Sequence, residues 1–364
     1  MNTNLFYRGV VYSLLIAGFA LGSTLTHAAD SPIKLAEGVR GLATRAPKEM
    51  KIDGDLSEFK DAFCTPVEYF NADQKNRPAQ FFYMWDDEAF YAALRTLDEH
   101  PANIADDAHL WEGDAVEWYF DPRQDENARS TKWEQGAVHC YWTGLKGTNV
   151  QGRFCLRPGY LDAIKKIGVE VAAKRTSVGM DVEFKLPWTN FPGFKPKIGT
   201  VIALDAEACY SDGGKRLYRA FAYGSPLSVQ QPASLGKIQF VEKMEPQYWK
   251  QCAAVQMPIR CDVAWGQPAR PMVTGYMALP PNCEEIGKVM FRVMGLDGRK
   301  LGEFPGTVET IERIGNFQRA RAEWSYDLAA PGAYQLLGMV YDKSGKELGR
   351  VAPRMMSVNM TTGY

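Results

Sequence analysis

The chain has 364 residues, of which 46% are hydrophobic and 23% charged, and its formal net charge is −1. That length exceeds one ordinary domain, and the composition is that of a globular protein with real cores. A balanced charge without runs of one sign excludes the basic field that nucleic acid or an anionic lipid surface would need.

Residues 1–28 carry Arg8, the apolar run "GVVYSLLIAGFALG" and then "THAAD", with small Thr26 and Ala28 where a signal peptidase would cut. This pattern predicts a secretory signal peptide and a mature start near Ala29. The run is shorter than the roughly 20 residues of a spanning helix, and no later run is longer. No membrane span is expected in the mature chain, which is predicted to be secreted or periplasmic. The seven cysteines are compatible with disulfides outside the cytoplasm, and the odd count leaves one over. Cys140 and Cys155 flank the turn-rich "TGLKGTNVQG" and are candidates for a bridge within a hairpin. No C-x-x-C occurs, which argues against a thiolate zinc site.

Beyond the signal segment the apolar period is mostly two, which predicts strands. "FFYMWDDEAFYAALRTLD" reads as two strands around the turn "WDDEA". "DAVEWYFD" sets Val116, Trp118 and Phe120 against Ala115, Glu117 and Tyr119, and "TVIALDAEACYSD" and "KRLYRAFAYG" continue the pattern. Successive short strands with turns between them predict an all-β protein whose first domain, residues 29–243, is a jelly-roll-like β-sandwich. Residues 244–268 lose the alternation, gain prolines and read as a linker. In residues 269–364, "LDGRKLG" and "YDKSGKELG" join two strand pairs of one design. There "DLAAPGAYQLLGMVYD" resembles the tyrosine corner of immunoglobulin-like sandwiches, which implies a smaller Ig-like β-sandwich.

The stretch "HLWEGDAVEWYFDPR" concentrates the chemistry. Trp111 falls in the loop before the strand, out of phase with any apolar face, whereas Trp118 is in phase with Val116 and Phe120 and is expected in the core. Asp114 and Glu117 could form a glycosidase pair only at a suitable separation, and carboxylates on sandwich loops are usually just solvated. The hydrolase and phosphate-binding motifs G-x-S-x-G, H-E-x-x-H and G-x-x-x-x-G-K-[ST] are missing, so no catalytic residue is assigned. Asp53, Asp55 and Glu58 in "IDGDLSEF" have part of a calcium loop's composition without EF-hand spacing, and read as a surface turn.

Five stretches, "KIDGDLSEF", "YMWDDEAFYAALRTLDE", "LWEGDAVEWYFDP", "VEFKLPWTNF" and "ASLGKIQF", follow in order the pattern of family 9 carbohydrate-binding modules and their DOMON-like relatives, over roughly residues 45–242. The resemblance implies a β-sandwich that holds the end of a glycan, often between two tryptophans, with calcium sometimes bound structurally. It implies that Trp111 is the platform ring, that Glu117 bonds ligand hydroxyls, and that His139 stands where the family has a basic residue. The second tryptophan is not matched: "YGSPLSVQQP" has Val229 near its position, with Tyr223 as a partial substitute and Trp142 as an additional aromatic candidate. Family 9 modules commonly accompany a glycoside hydrolase, so a carbohydrate ligand and a hydrolase partner are the implied partners, in polysaccharide use. Two other readings stay open. DOMON-like sandwiches include haem-binding electron-transfer proteins with His and Met ligands, and a structural surface module would bind no ligand.

Overall fold

The structure is a computed structural model that describes residues 33–70, 76–106, 109–124, 133, 138–146, 149–156, 168–177, 179–212, 215–223, 226–245, 247–248, 259–264, 272–279, 286–311, 317–325, 332–350 and 354–358. For 138–146, 149–156, 259–264, 272–279, 317–325 and 354–358 it describes the backbone alone. The segment expected to be a signal peptide lies outside the described residues.

The first twelve strands are β1 (Val39–Arg45), β2 (Phe63–Phe70), β3 (Asn76–Trp85), β4 (Ala89–Leu97), β5 (Ala115–Asp121), β6 (Val138–Lys146), β7 (Asn149–Leu156), β8 (Glu170–Arg175), β9 (Gly179–Pro187), β10 (Val201–Ser211), β11 (Arg216–Phe221) and β12 (Gly236–Phe240). They hydrogen-bond in the order β7-β6-β5-β10-β12-β1-β3-β4-β9-β8, with β11 on β10 and β2 on β3. Strand β1 belongs to both halves of this arrangement. Its residues up to Ala43 run parallel to β12, and Thr44 and Arg45 then pair with Met84 and Trp85 of β3.

The alternation read in the sequence places the core between the two halves. Phe81, Tyr83 and Trp85 of β3, Phe90 and Leu94 of β4 and Phe184 of β9 share one cluster with Val116, Trp118 and Phe120 of β5 and Leu204 of β10. Trp118 is 2% exposed and meets the edges of Phe81 and Tyr83 at 5.7 and 5.8 Å between ring centres. Burial of such rings stabilises the sandwich by roughly 1.5–3 kcal/mol each. The turn between β3 and β4 is closed by Asp86, whose Oδ1 accepts from the amides of Glu88 and Ala89.

The outer face of the β4 half is covered by a short 3-10 helix, Leu56–Asp61, which packs Leu56 and Phe59 on Met84, Ala89, Tyr91 and Ala93. Asp55 caps this helix by accepting from the Ser57 amide. Before it, Gly54 adopts φ +84, and the amides of Asp53 and Gly54 both donate to Glu183 Oε2, at 2.8 and 2.6 Å. The "IDGD" motif is therefore a turn tied down by a buried carboxylate of β9. Asp53 accepts from the Asp55 amide, Asp55 also pairs with Lys174 at 3.4 Å, and Glu58 accepts from the Ser57 hydroxyl.

Strands β13 (Ile259–Ala264), β14 (Met272–Leu279), β15 (Ile286–Gly295), β16 (Lys300–Ile311), β17 (Phe317–Ser325), β18 (Gly332–Asp342), β19 (Glu347–Arg350) and β20 (Arg354–Val358) form a second, fully antiparallel sheet. Val289, Phe291, Val293, Leu336, Leu337, Met339 and Val340 are its buried hydrophobic residues among those described. The two turns of common sequence design share a common geometry. In each a glycine, Gly298 or Gly345, takes positive φ three residues after the turn begins and donates back to the first residue, Gly295 or Asp342. The chain is thus all-β, with a sandwich over its first twelve strands.

The bridge considered for the β6–β7 hairpin does not fit its register. Cys140 stands opposite Leu156 and Cys155 opposite Tyr141, so the two cysteines are not cross-strand partners. Among the described residues Cys64 and Cys209 are buried and unbridged.

Candidate functional site

The loop carrying Trp111 is fixed from below. Trp111 lies in a short 3-10 turn, Leu110–Glu112, anchored by the buried Leu110. Asn103, fully buried, donates its amide to the carbonyls of Leu110 and Asp114 at 2.8 and 3.3 Å. Gly113 is required at this spot because a Cβ there would overlap the Asn103 amide. Asp114 ties the loop to the sheet by accepting from the amides of Ala102, at 2.6 Å, and Ser211, at 2.8 Å. Burial first, and then the neighbouring Asp98 charge, push the Asp114 carboxyl up to about 7. The ring of Trp111 itself is half-buried.

Next to this loop, the outer face of β5 and β10 holds a polar cluster instead of a solvated surface. Every residue of β5 is buried. Glu117 and Glu207 are directly opposite each other across the β5–β10 pair and are 2% and 0% exposed. The Tyr119 hydroxyl lies 2.7 Å from Glu117 Oε2 and 2.6 Å from Glu207 Oε2. The phenolic hydroxyl can donate to either carboxyl, and its oxygen can accept from the other when that carboxyl is protonated. Burial raises both carboxyls above their usual range, partly offset for each by the arginines.

Those arginines come from β11. Arg216 Nη1 donates to Glu117 Oε1 at 3.0 Å and to Glu207 Oε1 at 3.3 Å, and lies 3.7 Å from Cys209 Sγ. Arg219 grips Glu207 through Nε and Nη2, a bidentate pair. Both guanidiniums also stack on aromatic rings, Arg216 4.7 Å from the centre of Trp111 and Arg219 4.8 Å from that of Phe221. Residues of opposite parity reach one face because the β10–β11 register slips between Tyr210 and Ser211. Tyr210 faces Tyr218 and Ser211 faces Arg216, which leaves Leu217 as the bulged residue, 48% exposed. Glu117, Glu207 and Cys209 are close enough to ligate a metal ion, but the Arg216 Nη1 position is the point they share, and a guanidinium already provides the positive charge there.

Each residue singled out in the sequence has a defined place. Trp111 and Glu117 come together through Arg216, which stacks on one and pairs with the other. His139 stands opposite Tyr119 on β6, and Trp142 opposite the core residue Val116; their side chains lie outside the described residues. Tyr223 is 6% exposed inside the sandwich, its hydroxyl 2.6 Å from Thr65 Oγ1, in space left by the absent side chains of Gly41 and Gly236. Val229, at the place considered for a second tryptophan, packs instead with Trp133, which donates to the Val229 carbonyl at 3.2 Å and lies against Tyr119. Asp114 and Glu117 are separately engaged, one holding the loop and the other in the arginine network.

The sequence reading missed Arg216, Arg219, Glu207 and Trp133. Two arginines in "KRLYRAF", spaced by three, fall on opposite faces of a regular strand, and only the bulge brings them together. Glu207 was legible in principle as a carboxylate on the same alternate face as Asp205 and Cys209 in "ALDAEACYS".

Comparison with known proteins adds the relationship. Two solved structures of a family 9 carbohydrate binding module from Caldicellulosiruptor kristjanssonii, in complex with cellotriose and with glucose, align with 56% of this chain and 95% and 96% of their own. Identity is 16% and 18%, with TM-scores of 0.45 and 0.44. No curated protein matches the chain. The family model described as carbohydrate family 9 binding domain-like matches residues 52–241, a span that includes β2 to β12 and every residue of the network above. The chain belongs to the carbohydrate family 9 binding domain-like family.

Proposed function

We propose that the protein binds carbohydrate at the outer face of β5, β10 and β11, with Trp111 as the ring that meets a sugar and Arg216 and Arg219 as the groups that bond it. The observation that carries this reading is the placement of Trp111. It is a half-buried indole on a loop locked by Asn103, Gly113 and Asp114, beside polar groups held in one geometry by buried partners. Sugar recognition needs this combination, since the C–H face of a pyranose packs on a rigid ring while its hydroxyls need fixed polar partners. Family membership supports the same ligand class.

The role is binding without catalysis. Glu117 and Glu207 are engaged by Tyr119, Arg216 and Arg219 and are withdrawn from solvent, so neither is placed to protonate a leaving group or activate water. The chain acts after export, its residues 29–243 being the binding module and residues 269–364 an Ig-like spacer, in a polysaccharide-utilisation setting where a partner glycoside hydrolase performs the cleavage. Calorimetric titration of the mature protein with a panel of mono- and oligosaccharides tests this. Saturable binding that Trp111→Ala removes is expected. Heat flat across the whole panel, or a Soret band in the purified protein, would overturn it.

A further inference from the structure

We infer that the sugar this site takes is acidic, a uronic acid residue whose carboxylate meets Arg216 and Arg219. The inference rests on the carbohydrate-binding reading above and deepens it. The starting point is what the network presents outward. Glu117 and Glu207, the acceptors of the site, are 2% and 0% exposed, whereas the side chains of Arg216 and Arg219 are 19% and 25% exposed. The acceptors therefore lie beneath and the donors lie on top.

Those donors are only partly used. Arg216 directs Nη1 to its carboxylates and Arg219 directs Nε and Nη2 to Glu207. Nε and Nη2 of Arg216 and Nη1 of Arg219 have no hydrogen bond among the described residues. A guanidinium has donors and no acceptor. A neutral pyranose hydroxyl both donates and accepts, and against a donor-only surface its own hydrogen finds nothing. A carboxylate accepts only, and suits the planar fork of an arginine.

The order of charge outward leads to the same ligand. The guanidiniums are the members of the network nearest solvent and the carboxyls lie beneath them, so its outward side favours an anionic sugar over a neutral one. Stacking on Trp111 and Phe221 holds both guanidinium planes, so the fork is oriented before the ligand arrives.

The test is calorimetric titration of the mature protein with trigalacturonate, triglucuronate and cellotriose, in low salt and in 0.5 M sodium chloride. One of the two acidic trisaccharides is expected to bind at least about tenfold more tightly than cellotriose, with the preference reduced by salt. Arg216→Gln should erase that preference. Because Arg216→Gln also leaves buried carboxylates less well paired, Arg216→Lys is measured beside it. Lys keeps the charge and loses the fork, so a folded Arg216→Lys protein, judged by its melting transition, should also bind the acidic sugar several-fold more weakly. Cellotriose binding as tightly as both acidic sugars or more so, or an acidic preference untouched in both variants, overturns this inference and leaves the carbohydrate reading standing. Binding of none of the three, and of nothing in the wider panel, overturns both.

Discussion

Glu117 and Glu207 face each other across β5 and β10 and share the hydroxyl of Tyr119, which lies 2.7 Å from one and 2.6 Å from the other. Two buried carboxylates in direct opposition would repel each other across the ladder. The tyrosine and two arginines turn that conflict into a connected network, and its members are the groups that position Arg216 on Trp111.

Tyr119→Phe removes the hydroxyl and leaves both Oε2 atoms without it. A loss of about 1–3 kcal/mol in unfolding free energy is expected. The loss should be greater at pH 8 than at pH 5, because at the lower pH a carboxylic proton can bridge the two glutamates directly. Thermal melts of both proteins at the two pH values check this, and an equal loss at both would contradict proton uptake by the raised Glu117–Glu207 carboxyls.

Trp111 and Trp118 are seven residues apart and differ in burial, Trp111 half-buried and Trp118 2% exposed. Trp111→Ala should weaken sugar binding by about 1–3 kcal/mol with little change in the melting temperature, since its ring is half-exposed. Trp118→Ala opens a cavity between Phe81, Tyr83 and Phe184 and should cost about 3–5 kcal/mol of stability. Melting and titration of both variants separate the two outcomes.

Gly113→Ala adds a single methyl group where Asn103 stands. The Asn103 amide must then leave the carbonyls of Leu110 and Asp114. A destabilisation of about 1–3 kcal/mol is expected, together with weaker sugar binding as the Trp111 turn loosens. A variant with unchanged melting and unchanged titration would show that Asn103 does not hold the loop.

Glu183 gives a pH dependence. Burial pushes its carboxyl up to about 7, against the opposing effect of the Asp53 and Gly54 amides. A raised carboxyl pKa means that the folded protein keeps a proton the unfolded chain has released, so this contribution to stability is present at pH 4 and declines as the pH rises to about 7. Asp114, raised for the same first reason, acts in the same direction. The melting temperature should therefore fall between pH 5 and pH 8. Glu183→Gln, uncharged at both, should flatten part of that fall, by an amount equivalent to about 1–3 kcal/mol. A fall of the same size in the variant would assign the dependence elsewhere.

Strand alternation was legible wherever one face met the core, and β3, β4, β5, β9 and β10 follow the pattern written in their residues. Trp111 was legible for the converse reason, since it alternates with nothing. The parallel pairing of β1 was not, because its partners in β12 and β3 are remote in the chain and no local signal names them. Tyr223 stands in what reads as a polar turn, and only the two glycines that make room for its ring explain its burial. The partners of Glu117 on the outer face of β5 were not legible, because period two distinguishes faces without saying what covers them. The covering groups come from a bulged strand and from Trp133, outside any pattern.

The pairing of β1 has a kinetic consequence. Val39 and Lys237, in register in β1 and β12, are about 200 residues apart in the chain, so this contact is of the long-range kind that slows folding. During synthesis β1 is among the first strands of the sandwich to emerge and has no parallel neighbour on the β12 side until Gly236–Phe240 follows. The half that holds Trp111, Glu117 and Glu207 therefore closes last. A nascent chain stopped short of β12 would expose an open edge on β10, the strand of Glu207, and a hydrogen-exchange time course should show β1 and β12 gaining protection together, after the β3–β4 hairpin.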